Sequence, residues 1–118
     1  MGILIVDDSP LVRAILKDYL SQEGFEVYEA GSYQEAQDSF QRFRPQLVIK
    51  DLYMPEWDAI ESIGFFKKID PMVKIIICST GTSKEMILEG LKAGATDFLL
   101  KPLDKHQVID LVKRLQKN

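Results

Sequence analysis

The side chains best suited to chemistry in this chain stand at the ends of short apolar runs. Asp7 and Asp8 follow Ile3-Leu4-Ile5-Val6, and Asp51 follows Leu47-Val48-Ile49-Lys50. Ser79 follows Lys74-Ile75-Ile76-Ile77-Cys78, and Lys101 follows Thr96-Asp97-Phe98-Leu99-Leu100. Runs of this length, rich in branched aliphatics, read as buried strands. Core strands rarely tolerate an acid, so each polar group should lie where its strand leaves the sheet. Brought to one rim, they would form an acid cluster with a hydroxyl and a cation beside it. Such a set suits a ligand site or a reaction centre. Each member also has a plain local reading. Asp51 can cap its strand or the next helix, one of Asp7 and Asp8 can cap a helix, Ser79 can be a strand-end hydroxyl, and Lys101 before Pro102 can be a turn residue.

The segments between the runs carry helix signals. Ser9-Pro10 offers an N-cap and a proline at the first helical position, ahead of Val12, Ile15, Leu16, Tyr19 and Leu20 at helical spacing. Gly24 is placed to end that helix. Phe25 to Glu29 alternates as a further strand. Capping boxes are read at Ser32 with Glu35 and at Thr82 with Glu85. Asp58 with Glu61 and Asp104 with Gln107 mark two more starts. The inner faces are expected to carry Ala36, Phe40 and Phe43, then Ile60, Ile63, Phe66 and Ile69. They continue with Ile87, Leu88 and Leu91, and last Val108, Ile109, Leu111, Val112 and Leu115. Pro45, Asp70-Pro71 and Gly94 are the stops. Strand and helix therefore alternate five times with short turns, which predicts a doubly wound parallel sheet covered on both faces. In such sheets ligands bind beyond the carboxyl ends of the strands, where the polar groups stand.

The gross numbers narrow the class. At 118 residues, one domain over 1–118 is expected. A net charge of −3 gives no support to nucleic-acid binding. The one cysteine, Cys78, lies in an apolar run and reads as a core residue rather than a disulfide or zinc ligand. Met1 enters the first strand within a residue or two, so no leader is expected. No run is long enough to span a bilayer. A cytoplasmic domain without membrane insertion is the expectation.

Five motifs in order, Val6-Asp7-Asp8-Ser9, Asp51-Leu52-Tyr53-Met54-Pro55, Cys78-Ser79, Ala93-Gly94-Ala95 and Lys101-Pro102, carry a resemblance over essentially the whole chain. The sequence resembles the receiver domain of two-component response regulators, and among them the single-domain chemotaxis type. The resemblance implies a flavodoxin-like (β/α)5 fold with strand order 2-1-3-4-5 and a cis Lys101–Pro102 bond. That order sets Asp8 and Ser79 on either side of Asp51, within the reach of Lys101. Carboxylates so close repel one another and need a cation. Magnesium suits oxygen-only ligands, and manganese is an alternative. By resemblance Asp8, Asp51 and the Tyr53 backbone carbonyl bind it, with Asp7 acting through water. Asp51 would accept a phosphoryl group from the phosphohistidine of a sensor histidine kinase, with Ser79 and Lys101 contacting the phosphoryl oxygens. Phe98 stands at the position of the family's rotating aromatic, although a core role is the safer reading. Output would pass through the fourth helix, fifth strand and fifth helix to a protein target, with a flagellar motor switch or a phosphotransfer protein as examples. The protein would be a monomer and a phosphoacceptor rather than an enzyme in the ordinary sense.

Several residues depart from the family pattern or stay open. Ala59 stands where the family has Gly. Lys50 is unusual in a buried strand and calls for an acid partner or an exit to solvent. The Tyr53 ring is large enough to cover a phosphoryl group, which predicts slow self-dephosphorylation. Thr80 rivals Ser79 for the phosphoryl contact, but the spacing to Lys101 favours Ser79. Trp57 packs over the loop after Pro55 or serves a partner. Gly90 weakens the fourth helix by about 1 kcal/mol relative to Ala and leaves it easier to shift. His106 reads as a surface residue. Lys113, Arg114 and Lys117 suit a helix C-terminus. Four rival readings keep parts of the pattern: a receiver-like docking module that is never phosphorylated, a phosphorelay intermediate or a receiver cut from a longer regulator, and a flavin-binding protein using Ser79 to Ser83. The fourth, an aspartyl phosphatase of the haloacid dehalogenase type, would want an acid at Tyr53.

Overall fold

Each apolar run forms a strand, and each capped amphipathic segment forms the helix that returns the chain. The structure, a computed structural model, describes residues 1–81 and 84–116. The strands are β1 (Gly2–Val6), β2 (Glu26–Ala30), β3 (Leu47–Asp51), β4 (Lys74–Ser79) and β5 (Asp97–Leu100). The helices are α1 (Pro10–Ser21), α2 (Tyr33–Phe43), α3 (Ala59–Ile69), α4 (Lys84–Lys92) and α5 (Lys105–Gln116). The four pairings among these strands are parallel and the order is β2-β1-β3-β4-β5, as expected.

Side-chain alternation along the strands splits the core in two. Ile3, Ile5, Leu47, Ile49, Ile76 and Leu99 face Leu16 and Leu20 of α1 and Val108, Val112 and Leu115 of α5. Leu4, Val6, Val48, Ile75 and Ile77 face Ala36, Phe40, Ile63, Phe66 and Ile87 of the other three helices. The three central strands, β1, β3 and β4, are thus covered on both sides, which is why their runs are continuously apolar rather than alternating.

The helix starts match their signals, with one variation. Ser9, Ser32, Asp58 and Asp104 accept the N–H groups of Val12, Glu35, Glu61 and Gln107. In the box at α2, the Glu35 carboxylate accepts from Gly31 N–H at 2.7 Å, one residue before the cap. The box read at Thr82 falls outside the described residues, as does Lys117.

Two helix inner-face assignments need correction. Leu88 is 58% exposed, because Ile87 and Gly90 turn inward on α4 and leave Leu88 on the outer face. Phe43 is also exposed, at the last residue of α2, where its ring stacks on Tyr28 at 4.1 Å. Trp57 is buried, packed among Tyr33, Phe65 and Phe66, which favours its packing role. The Lys101–Pro102 bond is cis. Among the described residues no helix is long and apolar enough to cross a membrane.

Candidate functional site

Parallel strands finish at one edge, and the register shows which residues finish together. Val6 pairs with both Ala30 and Lys50, Asp51 with Cys78, and Ser79 with Leu100. The residues just past these pairs share one rim. Asp7, Asp8 and Asp51 come together there, with one carboxylate oxygen of each within 4.8 Å of the others.

The three acids have different surroundings. Asp7 is buried, and its carboxylate accepts from Ser9 N–H at 2.9 Å and from the Lys101 ammonium at 3.1 Å. Asp51 is half-buried, with Lys101 at 3.5 Å and a long contact from Tyr53 N–H, also at 3.5 Å. Asp8 is exposed, beside a groove of about 500 Å³ lined by Tyr53, Met54, Trp57 and Met86. Solvent therefore reaches the cluster from the Asp8 side. Lys101 crosses from the end of β5 to both Asp7 and Asp51.

Burial, and then the Asp7 charge, hold the Asp51 carboxyl above its ordinary range, while Lys101 pulls the other way. For Lys101, burial opposes the charged form, but Asp51 and then Asp7 outweigh it and raise its pKa. Three acids against the ammonium groups of Lys101 and Lys50, with one side open, leave uncompensated negative charge. That donor set is oxygen-only and suits a hard divalent cation that keeps some water. The residues present fit magnesium.

Ser79 is buried at the rim, and its hydroxyl donates to the Thr80 carbonyl at 3.1 Å. Its own carbonyl accepts Lys101 N–H at 2.7 Å, tying the ends of β4 and β5 together. Tyr53 is 53% exposed beside the cluster. Phe98 lies away from the acids on edge strand β5, 38% exposed, above an open groove shared with Leu100, Asp110 and Arg114. Its ring is therefore at the surface, not in the core. Cys78 is a core thiol, pushed up to about 12 by burial.

The environment of Lys50 differs from both expected options. Among the described residues it forms no carboxylate ion pair, and it does not leave for solvent, being 1% exposed. Its ammonium donates to the Asp51 main-chain carbonyl at 2.6 Å and sits 5.7 Å from the centre of the Trp57 ring. Burial pulls its pKa down to about 8, against the opposing pull of Asp51 and more distant acids. A carbonyl dipole and an aromatic face serve where an acid was expected.

Arg13 was missed by sequence reasoning. It donates to the Asp7 carbonyl at 2.7 Å and pairs with Glu29 at 3.3 Å, bracing the turn between β1 and α1. Gly31 makes room for it, since a Cβ there would come within 2.6 Å of the guanidinium. The available signal was an arginine in the first turns of α1, next to the acid pair.

The sequence matches the family model for the response regulator receiver domain over residues 3–113. It is 39% identical to the chemotaxis protein CheY of Thermotoga maritima over 116 residues, covering 98% of this chain and 97% of that one. It is 37% identical to the chemotaxis protein CheY of Bacillus subtilis, with 95% and 94% covered. Among solved structures, the chemotaxis protein CheY4 of Vibrio cholerae superposes with a TM-score of 0.89 at 30% identity, covering 96% of both chains.

Proposed function

The chain belongs to the family of response regulator receiver domains, and on that premise we propose that Asp51 is its phosphoacceptor in a two-component signalling system. The observation that carries the reading is the carboxylate trio with Lys101 laid across Asp7 and Asp51. An oxygen of Asp51 attacks the phosphorus of a histidine kinase's phosphohistidine. The new O–P bond forms as the P–N bond breaks, and the electron pair stays on the imidazole.

The chain's own groups prepare this step. Lys101 moves its ammonium from the acids toward an incoming phosphoryl oxygen. Ser79 exchanges its bond to the Thr80 carbonyl for one to another phosphoryl oxygen, and the surface of α4, β5 and α5, with Phe98, responds. Asp8, Asp51 and the Tyr53 carbonyl would hold magnesium, with Asp7 contributing through water. When bound, the ion neutralises the acids and the transferring oxygens. The exposed Tyr53 ring covers the product and delays attack by water. The modified protein then binds a downstream protein partner in the cytoplasm.

The test is intact-protein mass after incubation with acetyl phosphate and MgCl2. One phosphoryl group should appear on the wild type, and none on Asp51→Asn or on wild type with chelator. Uptake by Asp51→Asn equal to the wild type would sink the assignment.

A further inference from the structure

The peptide joining Asp51 to Leu52 is held from both sides. Its N–H donates to the Cys78 carbonyl of β4 at 2.9 Å. A trans peptide points its carbonyl the opposite way, here toward β1. The last pair between β1 and β3 is Val6 with Lys50, so β1 has already left the sheet at this level. A partly buried carbonyl there needs a donor, and the Lys50 ammonium supplies it at 2.6 Å. The Lys50 stem is enclosed in the core, and the Trp57 ring, wedged among Tyr33, Phe65 and Phe66, covers its charge.

This peptide matters because two functional groups hang on it. The Asp51 side chain leaves from one end, and Tyr53, one residue beyond the other, meets the Asp51 carboxylate through its N–H. Rotating the peptide would displace the acid and the Tyr53 backbone together. We propose that Lys50 is a positioning residue of the acid site: its ammonium clamps the Asp51 carbonyl against the Trp57 face and so fixes the turn that presents Asp51 and Tyr53 to the divalent cation. The inference rests on the site reading above and adds a residue that touches neither the ion nor the phosphoryl group.

The sign of the effect separates this role from two simpler ones. A nearby positive charge repels a cation, so deleting it should tighten Mg2+ binding if charge were all that Lys50 contributed. A purely structural buried lysine, replaced by a side chain of similar length, should leave Mg2+ affinity unchanged. A positioning residue gives the opposite of the first result. Lys50→Met, or Lys50→Leu should methionine fail to pack, is compared with the wild type by calorimetric titration with MgCl2 and by amide NMR. We expect Mg2+ affinity to fall roughly tenfold, as for residues that orient metal ligands. The Leu52 and Tyr53 amide resonances should shift and broaden without loss of fold. Unchanged or tighter Mg2+ binding in the variant would overturn the clamp and leave the site reading intact. Absence of Mg2+ binding in the wild type would overturn both.

Discussion

Lys101 stands closer to Asp7 than to the residue it is expected to serve: its ammonium is 3.1 Å from the Asp7 carboxylate and 3.5 Å from that of Asp51. In the unmodified protein it therefore neutralises acids that a metal ion would also claim.

Lys101→Met should consequently bind Mg2+ several-fold more tightly, since a competing cation is gone. The same variant should take up phosphoryl groups from acetyl phosphate roughly a hundredfold more slowly, the scale for losing one group that stabilises transition-state charge. Calorimetry and initial rates by intact mass check the two halves. Weaker Mg2+ binding would instead mean that Lys101 holds the acids in place.

Asp51 gives a pH-dependent stability effect in protein kept free of metal. Its folded pKa is raised, chiefly by burial and then by Asp7, with Lys101 opposing. The unfolded chain therefore releases this proton first. As pH rises through the unfolded value near ~3.9, the folded state loses stability, and the loss is complete above the folded value. Asp51→Asn escapes that loss. Urea unfolding should find the variant more stable at pH 7, with the difference closing in strong acid. A variant less stable than the wild type at pH 7 would mean that the ion pair with Lys101 dominates.

Gly90 packs against β4, where an added Cβ would come within 2.8 Å of the Ile77 methyl and 3.4 Å of Ile63. This glycine is therefore set by close helix–sheet approach, whatever freedom it also lends to α4. Gly90→Ala gains about 1 kcal/mol of helix propensity but overpacks a buried contact at about 1–3 kcal/mol. A net loss near 1 kcal/mol is expected from those two ranges. In an Ile77→Val background the clashing methyl is absent, and the alanine should become stabilising. A double-mutant cycle by urea unfolding reads the coupling directly.

The sheet and its rim could be read from the sequence because both follow local rules. Apolar runs of strand length, each closed by Asp, Ser or Lys, place those groups at one edge once the strands are parallel. Asp7, Asp8, Asp51, Ser79 and Lys101 all stand there. Contacts made by long side chains across the fold were not legible. Arg13 reaches back to the Asp7 carbonyl, and Lys50 reaches forward to Asp51 and Trp57. In neither case does spacing reveal that a carbonyl is the acceptor. Leu88 failed for a different reason: Gly90 occupies the inward position of α4, and no hydrophobic pattern marks a glycine as a packing residue.

Lys50 itself carries the last prediction. Asp51, Cys78, Asp7 and Asp58 face it electrically and favour its charge, but burial outweighs them and lowers its pKa from 10.5 to about 8. The unfolded chain thus holds this proton at pH values where the folded protein has lost it. Below pH 8 the folded state bears the full cost of the buried ammonium, about 3 kcal/mol for a shift of this size. Between about pH 8 and 10.5 the cost is relieved, so this group makes stability rise with pH. Lys50→Met removes the buried charge but leaves the Asp51 carbonyl without its donor, at about 1–3 kcal/mol, so its stability relative to the wild type should be most favourable at pH 7. Unfolding curves of both proteins from pH 7 to 10.5 isolate Lys50, because every other titrating group is shared. The variant's stability relative to the wild type should fall across that interval by about the cost relieved. A difference that stays constant would leave the ammonium without a folding cost.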